Sequence, residues 1–292
     1  MKKFVLLPKH GNHNKSIFDA EKVDTWPKNS TDSLPVGSGR NKTIPTPPQD
    51  FLGREIDMYN VLNSILENRF VSIVGPTGIG RSSLAAALCD YMNQRRSTMV
   101  TIKHIFYIRA RQAMRKDFMA SVIKPLQAQL HCANIATSLY EGQEKGEIFR
   151  SIFNALSDTK ALIVFDRIEV LEGSDESQEF PLFLRSLFRE TQKTRVLITA
   201  RKPLGLSSLG GVGERVYNLG PLTFKNTVSL FEILCPHAHT SERRRRLIEH
   251  LVSDHTQADL RLSDEGLKET SRDILKRLGE GIPSKTFEVV RE

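Results

Sequence analysis

The run FVSIVGPTGIGRSSLAAALCDYM, residues 70–92, constrains this chain more than any other stretch. FVSIV is short and continuously apolar, which suits a strand buried on both faces of a parallel sheet. SSLAAALCDYM is rich in helix formers. Between them, Gly75, Gly78 and Gly80 let consecutive backbone N–H groups converge on an anion at the positive end of the following helix. Gly75 and Gly80 keep the glycine spacing of the phosphate-loop pattern G-x-x-x-x-G-K-[ST]. Ser82 keeps its hydroxyl position, where it would face Mg2+, while Arg81 stands where the pattern has lysine. A strand before the glycines and a helix after them are the context the pattern requires, so phosphate binding is the expected chemistry.

The same alternation runs on down the chain. TIKHIFYI, ALIVFD, RVLITA and RVYNL read as further strands, which makes five. REIDMYNVLNSILENRF puts Met58, Val61, Leu62, Ile65 and Leu66 on one helical face. DFMASVIKPLQAQL carries Phe118, Met119, Val122, Ile123 and Leu126 at helical spacing, with Pro125 placed to kink it. EIFRSIFNAL and PLFLRSLFRE are two more helices. Strands alternating with helices predict an α/β fold, a five-stranded parallel sheet flanked by helices. After LGPLT the strands stop, and Thr223 is placed to cap a helix with Val228, Leu230, Phe231 and Leu234 inward. Helical patterns follow at residues 247–252 and 267–278, with Gly279 placed to end the latter. A small helical subdomain over 223–292 is therefore expected beside an NTPase domain over 49–222.

Residues 1–48 read differently. Six of the thirteen prolines fall there (Pro8, Pro27, Pro35, Pro45, Pro47, Pro48), among Asn, Ser, Lys and Gly, so a disordered basic leader is expected. The net charge of +8 fits an anionic partner without naming one. Cys89, Cys132 and Cys235 are too dispersed for a disulfide framework. The opening MKKFVLLPKH has too short an apolar run for a secretory signal, and nothing approaches the length of a membrane span. The expectation is a cytoplasmic protein with no membrane partner.

Two more strand ends carry chemistry. ALIVFDRIEV brings Asp166 to a strand tip, where it could hold Mg2+ together with Ser82. Glu169, three residues on, could orient an attacking water or be a solvated charge. RVLITAR brings Thr199 and Arg201 to the end of the next strand, where Arg201 could meet a terminal phosphate. Phosphate cradle, metal acid and phosphate-sensing arginine then form one constellation.

FLGRE, GPTGIGRSSLA, ALIVFDRIEVL, RVLITARKPLG, LGPLTFKNTVSLF and LGEGIPSKTFEVV occur in the order seen in STAND-class P-loop NTPases, and the chain resembles their NB-ARC-like branch over residues 49–291. The resemblance implies a P-loop NTPase that binds ADP or ATP with Mg2+ between sheet and helical subdomain, in a family of signal-transduction switches that self-associate or engage protein partners. By position, Arg54 would lie near the adenine. Gly75, Gly78, Gly80, Arg81, Ser82 and Ser83 would line the phosphates. Ser82 and Asp166 would hold the metal, Arg201 would sense the nucleotide, and Pro283 would pack near the base.

The chain departs from the family in two respects. Family members usually continue into a winged-helix domain and a repeat sensor, and the sequence given ends at Glu292, so a core without those modules is expected. Arg81 keeps the charge of the loop lysine but not its compact shape. Hydrolysis, which needs accurate placement, is expected to suffer more than binding. The result would be a regulatory ATPase that is slow or inactive. An AAA+ ATPase of the origin-recognition type acting on DNA is the second reading, since those proteins also carry GRE before the loop and the positive charge would suit them. ITAR lacks the polar strand-end sensor expected there. A non-catalytic scaffold is the third. His10, His13, Cys235, His237 and His239 lack zinc-site spacing, and Arg243–Arg246 read as a solvated helix face.

Overall fold

The computed structural model describes residues 44–110, 117–135, 144–171, 178–205, 209–234, 272 and 275–291. These lie in one compact unit, Thr43–Glu292. The leader, the histidines named above with Cys235, the Arg243–Arg246 run and the 247–252 helix fall outside the described residues.

The five apolar runs form β1 (Phe70–Val74), β2 (His104–Arg109), β3 (Ala161–Asp166), β4 (Arg195–Ala200) and β5 (Arg215–Asn218). They make one parallel sheet in the order β2-β3-β4-β1-β5, as the alternation predicted. β1 and β3 are buried along their whole length, which is why they show no polar alternation. The order separates β1 from β3 by one strand, β4.

Around the sheet lie α1 (Glu55–Glu67), α2 (Arg81–Gln94), α3 (Lys124–Cys132), α4 (Lys145–Leu156), α5 (Glu179–Glu190), α6 (Phe224–Leu234) and α7 (Pro283–Arg291). One sheet face is apolar throughout. Phe106, Ile108, Ile163, Phe165, Val196 and Ile198 pack there with α3, α4 and α5. Phe183 of α5 centres a phenylalanine cluster, 5.4 Å from Phe149, 5.5 Å from Phe153 and 5.9 Å from Phe118, with edge-on or tilted rings. The opposite face packs on α1 and α2. By the two-residue period of a strand it receives Tyr107, Arg109, Asp166 and Thr199.

Pro125 does not simply kink a helix. Residues Met119–Ile123 form a turn of π-helix, and α3 starts after it with Pro125 in its first turn. Proline has no N–H to donate, so it tolerates that position. β2 is an edge strand, and Gln129 of α3 covers part of the edge. Its carboxamide Nε2 donates to the Tyr107 carbonyl at 2.8 Å, and its Oε1 accepts the Tyr107 N–H at 3.0 Å.

The expected helix ends are present. The Asn226 N–H donates to Thr223 Oγ1 at 3.3 Å, capping α6. Gly279 turns left-handed at φ 93°, while the Glu280 N–H reaches the Leu275 carbonyl at 2.7 Å and the Gly279 N–H that of Lys276 at 3.3 Å. Both bonds of a Schellman ending are made. No helix among the described residues is long and apolar enough to cross a membrane.

Candidate functional site

The glycine loop joins β1 to α2. Gly78 and Gly80 sit at φ 84° and 102°, where a side chain would be strained. A Cβ on Gly78 would also come within 1.9 Å of Ser284 Oγ. Gly80 caps α2 with no side-chain partner, and no acidic residue stands in the first turn of that helix. The first N–H groups of a helix have no intrahelical acceptor, and its N-terminus carries partial positive charge. Arg81 adds a cation there. A positive helix end with no acid in its own first turn favours an anion.

The β3 tip meets this loop. Asp166 is 1% exposed, and its Oδ1 accepts the Ser82 hydroxyl at 2.7 Å and the Thr199 hydroxyl at 2.6 Å. Thr199 Oγ1 in turn accepts the Arg167 N–H at 2.8 Å, where Arg167 holds a left-handed φ of 63°. The Tyr107 hydroxyl donates to the same carboxylate. Burial first, and then the Asp166 charge, push the Tyr107 phenol well above its ordinary value, so it stays a donor. Arg109 Nε lies 3.7 Å from Asp166 Oδ2. Register explains these meetings: Arg109 pairs with Asp166 in the sheet, and Asp166 and Thr199 each follow the paired Phe165 and Ile198.

A second acid is held close by. Glu169 lies in the 3-10 turn Ile168–Leu171, and its Oε1 accepts Arg81 Nη2 at 2.7 Å, both side chains being 8% exposed. Arg81 Nη1 and Glu169 Oε2 are buried with no hydrogen-bond partner among the described residues.

Arg54 is 5% exposed and uses its guanidinium to join three segments. Nη1 donates to Asp57 Oδ2 at 3.1 Å and to the Gly220 carbonyl at 2.8 Å, while Nη2 donates to the Ile79 carbonyl at 2.9 Å. It thereby ties FLGRE to the glycine loop and to the end of β5. Pro283 opens α7, where its missing N–H costs nothing. The next residue's N–H, that of Ser284, donates to the Gly78 carbonyl at 3.3 Å, so the start of α7 touches the loop. Ser83 is half-buried in the first turn of α2.

Arg201 follows β4 in an exposed bend. Its loop is pinned by Glu214, whose Oε1 accepts the Ser72 hydroxyl at 2.5 Å and the Leu204 N–H at 3.1 Å, and whose Oε2 accepts the Gly205 N–H at 3.1 Å. The structure thus brings Gly78, Gly80, Arg81, Ser82, Asp166 and Glu169 together. Tyr107, Arg109 and Ser284 join them without having been singled out. Their signal was strand order and long-range packing, which no local pattern states.

A glycine loop at the tip of β1, an acid at the tip of β3 and an intervening β4 define a P-loop NTPase. Within that class the chain belongs to the NACHT domain family, whose model matches residues 69–254. The resemblance to STAND-class NTPases is borne out at that level. Among solved structures, the chain is similar to a Walker-type ATPase of Pyrococcus abyssi, with 13% identity, a TM-score of 0.50, and 84% of this chain and 73% of that one covered. It is similar to the ORC2 protein of Aeropyrum pernix, described as ADPNP–ADP complexes, with 12% identity, a TM-score of 0.50, and 84% and 69% covered. A STAND protein of Pyrococcus horikoshii with a tetratricopeptide repeat sensor matches at 18% identity and a TM-score of 0.40, over 78% of this chain and 33% of that one. The likeness to the first two, at these identities, shows the fold alone. No curated protein sequence matches significantly.

The site's donors fit the ligand that a P-loop NTPase implies. The Ser82 hydroxyl and Asp166 carboxylate are hard oxygen donors of the kind Mg2+ takes. The open backbone at Gly80 and the orphaned Arg81 Nη1 suit phosphate oxygens.

Proposed function

We propose that this NACHT chain is a STAND-type regulatory NTPase that holds ADP or ATP and hydrolyses slowly or not at all. The observation that carries the reading is the Ser82–Asp166 hydrogen bond, which joins the phosphate loop to the β3 tip across β4. In this reading residues 49–222 are the NTPase domain and 223–292 a helical lid. The loop amides of Gly75–Ser83 grip the phosphates, and Ser82 and Asp166 hold Mg2+, which when bound neutralises charge on the outer phosphates. Arg201 senses the terminal phosphate. Arg54 shapes the adenine end by fixing the Gly53 turn to Ile79 and Gly220. Pro283 starts a helix that rests on the loop, so occupancy of the loop can be felt by the lid. Self-association or a protein partner in the cytoplasm would read that state, along the lines of NB-ARC-like switches.

The test is to denature purified protein and identify released nucleotide by chromatography. Bound ADP is the expected result. No bound nucleotide and no affinity for added ADP would leave a scaffold. Tight DNA binding that weakens steeply with salt would move the reading to a DNA-associated ATPase.

A further inference from the structure

The Arg81–Glu169 pair is buried and half-satisfied on each side. Arg81 Nη2 is committed to Glu169 Oε1 at 2.7 Å, while Arg81 Nη1 and Glu169 Oε2 have no partner among the described residues. A buried polar atom without a partner is costly, and a bound ligand is one thing that offsets the cost. A guanidinium presents a rigid fork of donors and can hold two anions at once, whereas an ammonium is a single compact charge. Arg81 follows Gly80 directly, so its fork starts at the phosphate loop.

We propose that Arg81 is a bridging clamp: Nη1 takes a terminal phosphate oxygen of the bound nucleotide while Nη2 keeps hold of Glu169. The nucleotide is gripped, and the acid placed to activate water is tied down in the same act. This rests on the reading of the loop as an ADP/ATP site. Hydrolysis requires a water oxygen to bond the γ-phosphorus as the bond to the β–γ bridging oxygen breaks, with a water proton passing to a carboxylate. A Glu169 committed to Arg81 is a poor acceptor of that proton. A lysine at position 81 would serve the phosphates and release Glu169.

The experiment compares native protein, Arg81→Lys, Glu169→Gln and the double variant. Affinity is read with fluorescent ADP and ATP, turnover as released phosphate, and folding by thermal melting. Arg81→Lys is expected to bind within about threefold of native and to turn over at least about tenfold faster, since a positioned general base contributes about 10²–10⁴-fold. Adding Glu169→Gln is expected to cancel that gain. Arg81→Lys that binds ATP with turnover equal to or below native would overturn the clamp and leave the nucleotide reading intact. Loss of nucleotide binding in native protein and variant alike would remove both. Should Arg81→Lys not fold, Glu169→Gln alone tests the grip. Relieved of the carboxylate, Arg81 is expected to hold ADP at least about threefold tighter, and an unchanged or weaker affinity would overturn the proposal.

Discussion

Asp166 is the most heavily engaged side chain of the site. Ser82, Thr199 and Tyr107 donate to it, and Arg109 stands 3.7 Å away. Thr199 serves twice, as donor to Asp166 and as acceptor from the Arg167 N–H. Thr199→Val keeps the shape and removes both bonds. The expected loss is about 2–4 kcal/mol, read as a lower urea midpoint at unchanged slope. His104 gives a separate prediction. It stacks on Phe106, and its pKa is lowered first by burial and then by Arg96. A histidine depressed in the folded state binds fewer protons there than when unfolded. Its stabilising share is complete above the unfolded value near 6.5 and is lost as pH falls below it. The native-minus-variant melting difference for His104→Gln should therefore shrink on acidification from about pH 7 towards pH 5. A difference that is flat across that range would refute the assignment.

The helix α3 shows what an element contributes beyond its own packing. Through Gln129 it supplies the hydrogen bonds that a further strand would give Tyr107 on the β2 edge. Gln129→Leu preserves the apolar stem and leaves an N–H and a carbonyl unpaired. A loss of about 2–4 kcal/mol is expected, with a greater tendency to aggregate through the bare edge, measured by denaturation and light scattering. Strands and helices were legible in the sequence because burial imposes a period: β1 and β3 are apolar throughout, and α1 buries Met58, Val61, Leu62 and Ile65. Ser82 and Asp166 could be found because Asp166 ends β3 and Ser82 stands in the first turn of α2. The π-turn before α3 was not legible, since its side chains keep near-helical spacing. Tyr107 and Arg109 were missed because only the pairing of β2 with β3 brings them to Asp166. Ser284 was missed because its contact with Gly78 depends on how α7 docks.

For the molecule as a whole, ligand binding and stability should be linked. A nucleotide that binds only the folded chain adds about 2.7 kcal/mol at a concentration one hundredfold above its Kd. A rise of several degrees in melting temperature with ADP or Mg-ATP is expected. Asp166→Asn should abolish the difference between ATP with Mg2+ and ATP with chelator, and a surviving difference would place the metal elsewhere.

The strand order also bears on how the chain is made. β1 is synthesised first of the five described strands, yet its neighbours in the sheet are the last two of them to emerge, β4 and β5. On a ribosome adding about 5–20 residues each second, FVSIV must wait many seconds for its first partner. During that interval a sticky segment has nothing to pair with, so yield in a cell should hinge on chaperone supply and on the pace of translation.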